Sequence, residues 1–292
     1  MTKIKSLKKK SIVPLVQHDS SQLKGMHKYI FDWFKKKYNF GELGLFEAAC
    51  VASIYASNLR TPASAIIIAP AGEAKSDIMM DVSKFFDEAM IIRKGVITEY
   101  WIIKNISPET LDKHTLCIND LADSLKSMQS RRIAGFLSFV KNVLDGEAEI
   151  LNIAHSVKYK VNRVNVLVNI PKQVLGTATG NLISTTFFDR TIPFQFATAW
   201  KEWKVVYLKR ELSNSDVKKI AVKEVDIDIP WKYEHRIVAE AEYLRSLKLS
   251  GLPRNINLVK AILCGLAILN GRNHINEDDF KAYSMFKVYF RW

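Results

Sequence analysis

Apolar and polar positions fall into blocks along this chain, and the blocks predict elements. Between residues 21 and 60, Tyr29, Ile30, Trp33 and Phe34 recur at i, i+1, i+4 and i+5, which puts them on one helical face. Gly41 and Gly44 interrupt this pattern and predict a break. Residues 45–59 then read as a second, largely buried helix. Five short apolar runs predict strands over residues 65–69, 89–93, 115–119, 164–169 and 191–196. Helical stretches separate most of them. This alternation predicts a three-layer α/β domain over residues 61–207 with a mainly parallel sheet.

The flanks are different. Residues 1–20 begin with Lys3, Lys5, Lys8, Lys9 and Lys10 and read as a flexible basic arm. Two accounts of it stand: an arm along a phosphate backbone, or a solvated tail. Residues 21–60 form the N-terminal helices. Residues 208–230 are polar and predict a connector with a short helix, and residues 231–292 predict an all-helical segment. There, Pro253-Arg254 opens a helix over 255–270 that Gly271 stops. Asn276-Glu277-Asp278-Asp279 opens the next with acidic first-turn residues.

Charge adds a partner class to this picture. Across 292 residues, 43 Lys and Arg stand against 30 Asp and Glu, a formal charge of +13. An excess of this size suggests a polyanionic partner, nucleic acid first, against a merely solvated basic surface. Cys50, Cys117 and Cys264 are scattered in apolar stretches, with neither a disulfide framework nor zinc spacing. A reducing, intracellular setting, cytoplasm or nucleoid, is the simplest expectation. No run of 18 apolar residues occurs, so no membrane span is expected, and no apolar segment follows the N-terminal lysines as in a secretory signal.

The chemistry concentrates after the first predicted strand. Ala69-Pro70-Ala71-Gly72-Glu73-Ala74-Lys75-Ser76 joins an apolar strand to a predicted helix over residues 77–86. Strand, tight loop, Lys-Ser and helix is the layout of a phosphate-binding P-loop. Backbone N–H groups of residues 70–76 and the positive helix end would cradle phosphates. Lys75 would reach the outer phosphates, and the Ser76 hydroxyl would hold Mg²⁺. The usual pattern is G-x-x-x-x-G-K-[ST]; here Ala69 and Ala74 occupy the glycine positions. Ala74 is tolerated there if its φ is helical. An ordinary strand–loop–helix with a chance Lys-Ser is the alternative.

Two further strand ends carry candidates. Asn119-Asp120 closes the 115–119 run, where an ATPase of this layout places a Mg²⁺-associated acid and a water-activating carboxylate. Asn119 brings no charge, and Asp120 would touch the metal through water. Asn169 ends the 164–169 run and would orient an attacking water or touch the γ-phosphate; an Asn-containing turn before Pro171 is the other account. Arg190 precedes the last strand, placed to reach a neighbouring subunit's γ-phosphate or to pair with Asp189. Arg254 starts a helix, placed to lie over the phosphates or to face solvent.

With these residues in order, the chain resembles the AAA+ ATPases from about residue 45 to 285, and within them the minichromosome maintenance helicase clade. The clade's P-loop, roughly G-D-P-G-x-A-K-S, is similar to residues 69–76, and its Ala-Lys-Ser is matched by Ala74-Lys75-Ser76. Its C-I-D-E strand resembles Cys117-Ile118-Asn119-Asp120. The resemblance implies a sensor role for Asn169, an arginine finger at Arg190 and a lid arginine at Arg254. It implies an AAA+ P-loop domain with an N-terminal helical segment and a C-terminal helical lid. It also implies ATP and Mg²⁺ as cofactors, and a homo-oligomer, a hexameric ring, with ATP between subunits. The implied activity is ATP hydrolysis by a helicase motor or loader acting on DNA beside replication proteins. Asn119 and Asp120 in place of Asp-Glu support nucleotide binding more than fast turnover, so a hydrolysis-poor scaffold is the alternative. The divergence suggests a viral, plasmid or archaeal source.

Between the second and third site strands, residues 127–145 place Arg131, Arg132 and Lys141 beside an apolar stripe. Residues 149–163 then alternate as strands with Lys158, Lys160 and Arg163. This resembles the clade's insert, whose hairpin projects into a central pore, and makes Lys158, Lys160 and Arg163 candidates for DNA contact. An edge strand protected by lysines is the alternative. Trp200-Lys201-Glu202-Trp203-Lys204 would either stack bases or face the core.

Overall fold

The computed structural model describes residues 18–87, 89–93, 97–121, 130–151, 156–173, 187–197, 217–247 and 251–291. Five strands form one parallel sheet: β1 (Ser64–Ala69), β2 (Met90–Arg93), β3 (His114–Ile118), β6 (Val164–Pro171) and β7 (Thr191–Gln195), in the order β2-β3-β6-β1-β7. A separate antiparallel hairpin pairs β4 (Glu147–Leu151) with β5 (Ser156–Lys160). All five predicted strands are present, within two residues at each end. They read as continuous apolar runs because both faces of a parallel sheet are covered; every residue of β1 is buried.

Side-chain alternation in the strands feeds two cores. Ala65, Ile67, Ala69, Cys117, Leu167 and Phe194 face one cluster, and Ile66, Ile68, Leu116, Ile118, Val166 and Val168 face the other. The first cluster is closed by α1 (Gly25–Tyr38), α2 (Gly41–Ala52), α3 (Lys75–Val82), α7 (Glu234–Ser246), α8 (Leu252–Leu269) and α9 (Glu277–Phe286). The second is closed by α4 (Glu99–Asn105), α5 (Pro108–Leu111) and α6 (Ser130–Leu144). The molecule is therefore an α/β fold in three layers. N-terminal and C-terminal helices share one core: Phe46 of α2 stacks on Phe194 of β7 with ring centroids 5.0 Å apart, and Phe286 of α9 lies 5.3 Å from Phe46.

Gly41 and Gly44 do not break a helix; they lie inside α2. A Cβ on Gly44 would come within 2.1 Å of the Phe34 ring, and one on Gly41 within 2.6 Å of the Phe31 carbonyl oxygen. Their missing side chains let α2 lie flush on α1. The predicted 45–59 helix ends early, at Ala52, followed by one 3₁₀ turn at Ser53–Tyr55. The Ser53 hydroxyl donates to the Cys50 carbonyl at 2.7 Å and accepts from the Ala63 N–H at 2.8 Å, which ties that turn to the entry of β1. The α8 and α9 boundaries follow their predicted caps. Gly271 is left-handed at φ 68, and Asn276 forms a capping box with Asp279.

The connector has no helix over residues 217–230, and residues 208–216 lie outside the described residues. So do residues 1–17 of the basic arm and residues 198–207 with the Trp200–Lys204 stretch. Among the described residues one helix, Leu252–Leu269, is long and apolar enough to cross a membrane. Its apolar residues are mostly buried against α2 and α7, inside the first core.

Candidate functional site

β1 delivers the loop at the carboxyl edge of the sheet, where ligands of open parallel sheets bind. Ala69 ends the strand, Pro70 to Ala74 turn, and Lys75 opens α3. The turn needs two left-handed residues, Gly72 at φ 84 and Ala74 at φ 57. Ala74 is therefore not right-handed helical, contrary to expectation. Glycine takes this conformation without steric cost; alanine holds it against a penalty of about 1 kcal/mol. The helix begins directly after it, so its free N–H groups face the loop.

Lys75 is 7% exposed, and its ammonium donates to the Ala69 carbonyl at 3.0 Å and the Pro70 carbonyl at 2.7 Å. Two of its three N–H bonds thus brace the loop it ends. Burial lowers its pKa to about 8, while the Glu73 and Asp120 carboxylates pull the other way. The loop bounds a cavity of about 270 Å³ lined by Ala71 to Asp77, Asn119, Asp120 and Pro171. The helix behind it is anchored. The Asp81 carboxylate of α3 accepts from Tyr38 and pairs with Lys37 and Lys84, each at 2.6 Å. Burial pushes Asp81 up, but those bonds overcome it and hold the group below its ordinary value.

The strand order places β6 between β1 and β3, so Asn169 and Asn119 flank the loop from successive strands. The Ser76 hydroxyl donates to the Asn119 backbone carbonyl at 3.3 Å, which joins α3 to the end of β3. Asn119 Oδ1 and Asn169 Oδ1 are buried without a hydrogen-bond partner among the described residues. Asn169 is fully buried, its amide nitrogen 3.9 Å from Met79 Sδ, and it lies behind the cavity rather than on its wall. Orphaned acceptors are costly; the Asn119 oxygen beside Ser76 and Asp120 fits a hydrated divalent cation. No group of three His, Cys, Asp or Glu able to hold a metal unaided occurs among the described residues. A cation here would take further ligands from a phosphate chain.

The two arginines are elsewhere. Arg190 and Arg254 line a second cavity, about 390 Å³, with Arg60, Ser64, Asp145, Val164 and Asp189. Ser64 and Val164 begin β1 and β6, so this cavity lies at the opposite edge of the sheet, roughly 16 Å away along a six-residue strand. Arg190 donates to Asp145, from Nε at 2.8 Å and from Nη2 at 2.6 Å, rather than pairing with Asp189. Asp189 is taken instead by Arg254 at 3.0 Å. Arg254 is thus not over its own chain's loop: α8 packs on the N-terminal side of the sheet. Arg60 was not singled out from sequence. Its place just before β1 was the available signal, because β7, which follows Arg190, is the neighbour of β1.

In the hairpin, Lys158 and Lys160 stand opposite Glu149 and Glu147 in register, so charge alternates across it. The side chain of Lys158, like those of Arg131 and Arg132, lies outside the described residues. Arg163 follows the hairpin and is committed to Glu224, which Lys113 also binds at 2.8 Å. No protein-family model matches this chain, and no curated protein matches its sequence.

Proposed function

We propose that the loop 69–76 binds ATP with Mg²⁺, and that the chain is a divergent AAA+ ATPase of the minichromosome maintenance type. The observation that carries this is the Lys75 ammonium, braced on two carbonyls of its own loop at the mouth of a buried strand. A lysine so held keeps one donor for a phosphate and cannot swing away. Ser76, Asn119 and Asp120 meet at the same cavity and would bind the cation and its waters. When bound, Mg²⁺ supplies charge neutralisation on the phosphate oxygens. Asp120 would accept a proton from the attacking water, and Asn169 would orient that water from behind.

Arg190 and Arg254 would serve the triphosphate of a neighbouring subunit, since both lie far from their own chain's loop. This favours a ring or another head-to-tail assembly. The +13 charge supports DNA as the polyanion. The hairpin adds less to that than its lysines suggest, because glutamates face them in register.

A second function is favoured by one residue. Asn119 puts a neutral amide where an acid would hold the cation, which suits a nucleotide-gated scaffold with slow turnover. ATP turnover with and without single-stranded DNA, measured beside particle size, separates these. DNA-stimulated turnover by a large particle supports the motor. Nucleotide-dependent assembly without turnover supports the scaffold. No nucleotide binding at all overturns both.

A further inference from the structure

The phosphate loop carries its own acid. Glu73 lies between Gly72 and Ala74, is 9% exposed, and lines the same cavity as Lys75 and Ser76. Among the carboxylates acting on the Lys75 ammonium, its effect is the largest, ahead of Asp120. Lysine has two carbonyls for partners, but carbonyls neutralise no charge. With Asp120 on the facing wall and Asp77 in the first turn of α3, the cavity holds three carboxylates against one ammonium. A bare triphosphate entering it meets net repulsion, which helix N–H groups offset only in part.

Building on the nucleotide-binding function above, we propose that Glu73 is the resident counter-ion of Lys75 and makes polyphosphate binding conditional on a divalent cation. In the empty loop its carboxylate compensates the buried ammonium. When a cation-bearing polyphosphate enters, the cation screens Glu73 and Asp120 from the phosphates, and Lys75 exchanges one anion for another. Glu73 is thus a residue that selects the charge state of the ligand, and it contacts no base or sugar in this role. It discriminates between a metal-complexed phosphate chain and a free one.

The experiment is equilibrium binding of a fluorescent ATP analogue, displaced by inorganic tripolyphosphate, to the full chain and to Glu73→Gln, each in excess Mg²⁺ and in EDTA. Glu73→Ser is the second variant, and circular dichroism establishes that each is folded. Wild type is expected to lose affinity on cation removal at least roughly tenfold more than either variant does, consistent with one like charge a few ångströms away. Tripolyphosphate should reproduce the difference, which places it at the phosphates. Equal cation dependence in proteins that all bind overturns the role of Glu73 and leaves the nucleotide site standing. Absence of binding by wild type and variants alike in Mg²⁺ overturns the site itself, and the counter-ion with it.

Discussion

The guanidinium of Arg190 grips the Asp145 carboxylate through two nearly parallel bonds, at 2.8 and 2.6 Å. Fork-on-fork contact of this kind fixes the plane of the arginine as well as its position. Asp145 is 43% exposed, so water competes for its partner. A neighbouring triphosphate carries more charge than one carboxylate and would take the arginine over. Arg190→Ala should therefore leave nucleotide affinity unchanged and cut turnover of the assembled protein by about 10³. Titration calorimetry and a phosphate-release assay on the same samples check this; lost affinity would mean that the arginine holds the fold instead.

Lys75→Ala removes both the brace on the loop and the phosphate donor. Nucleotide binding should fall below detection while the melting transition stays cooperative.

Affinity should also depend on pH through Lys75. Burial lowers its ammonium to about 8, so below that pH the empty site is cationic and above it neutral. An anion prefers the cationic form. Affinity is expected to be flat below pH 7 and to weaken roughly tenfold per unit above about 8. Phosphate-analogue titrations from pH 6 to 9.5 would reveal the bend, and Lys75→Arg should move it out of range.

Asn119→Asp restores a charge at the cation site. Turnover should rise several-fold at saturating Mg²⁺ if slow hydrolysis stems from the amide. Unchanged turnover would place the limit elsewhere.

Glu47 of α2 is fully buried, and neither carboxylate oxygen has a hydrogen-bond partner among the described residues. Burial pushes its pKa well above 4.5. The folded chain therefore keeps a proton that the unfolded chain releases above about pH 4.5. Stability must fall as pH rises through that window, by up to about 1.4 kcal/mol per unit. Glu47→Gln should flatten that slope and raise stability at neutral pH, as read by urea unfolding at pH 4.5 and pH 7.

Much of the fold was legible in the hydrophobic pattern. Strands such as 64–69 and 164–171 are apolar without a break because both faces are covered, and that leaves a plain signature. Caps at Gly271 and Asn276 were legible because they are local chemistry. The loop 69–76 was legible because its layout is contiguous. Its conformation at Ala74 was not, since the left-handed turn is imposed by the path from β1 to α3 rather than by alanine.

Gly41 and Gly44 illustrate the remainder. By themselves they are helix breakers; in the fold, the Phe31 and Phe34 rings occupy the space their side chains would need. Only contacts between distant segments decide such a case. The same holds for Arg190 and Arg254, which lie 64 positions apart and share one cavity because α8 packs beside the start of β1 and β6. The sequence by itself determined which segments are strands, where helices stop and which loop can meet a phosphate, because those depend on neighbours a few residues away. Tertiary structure alone decided that Glu73 faces Lys75 and that the arginines sit at the far edge of the sheet. Charge pairing across space depends on how the layers stack, and no local pattern encodes that.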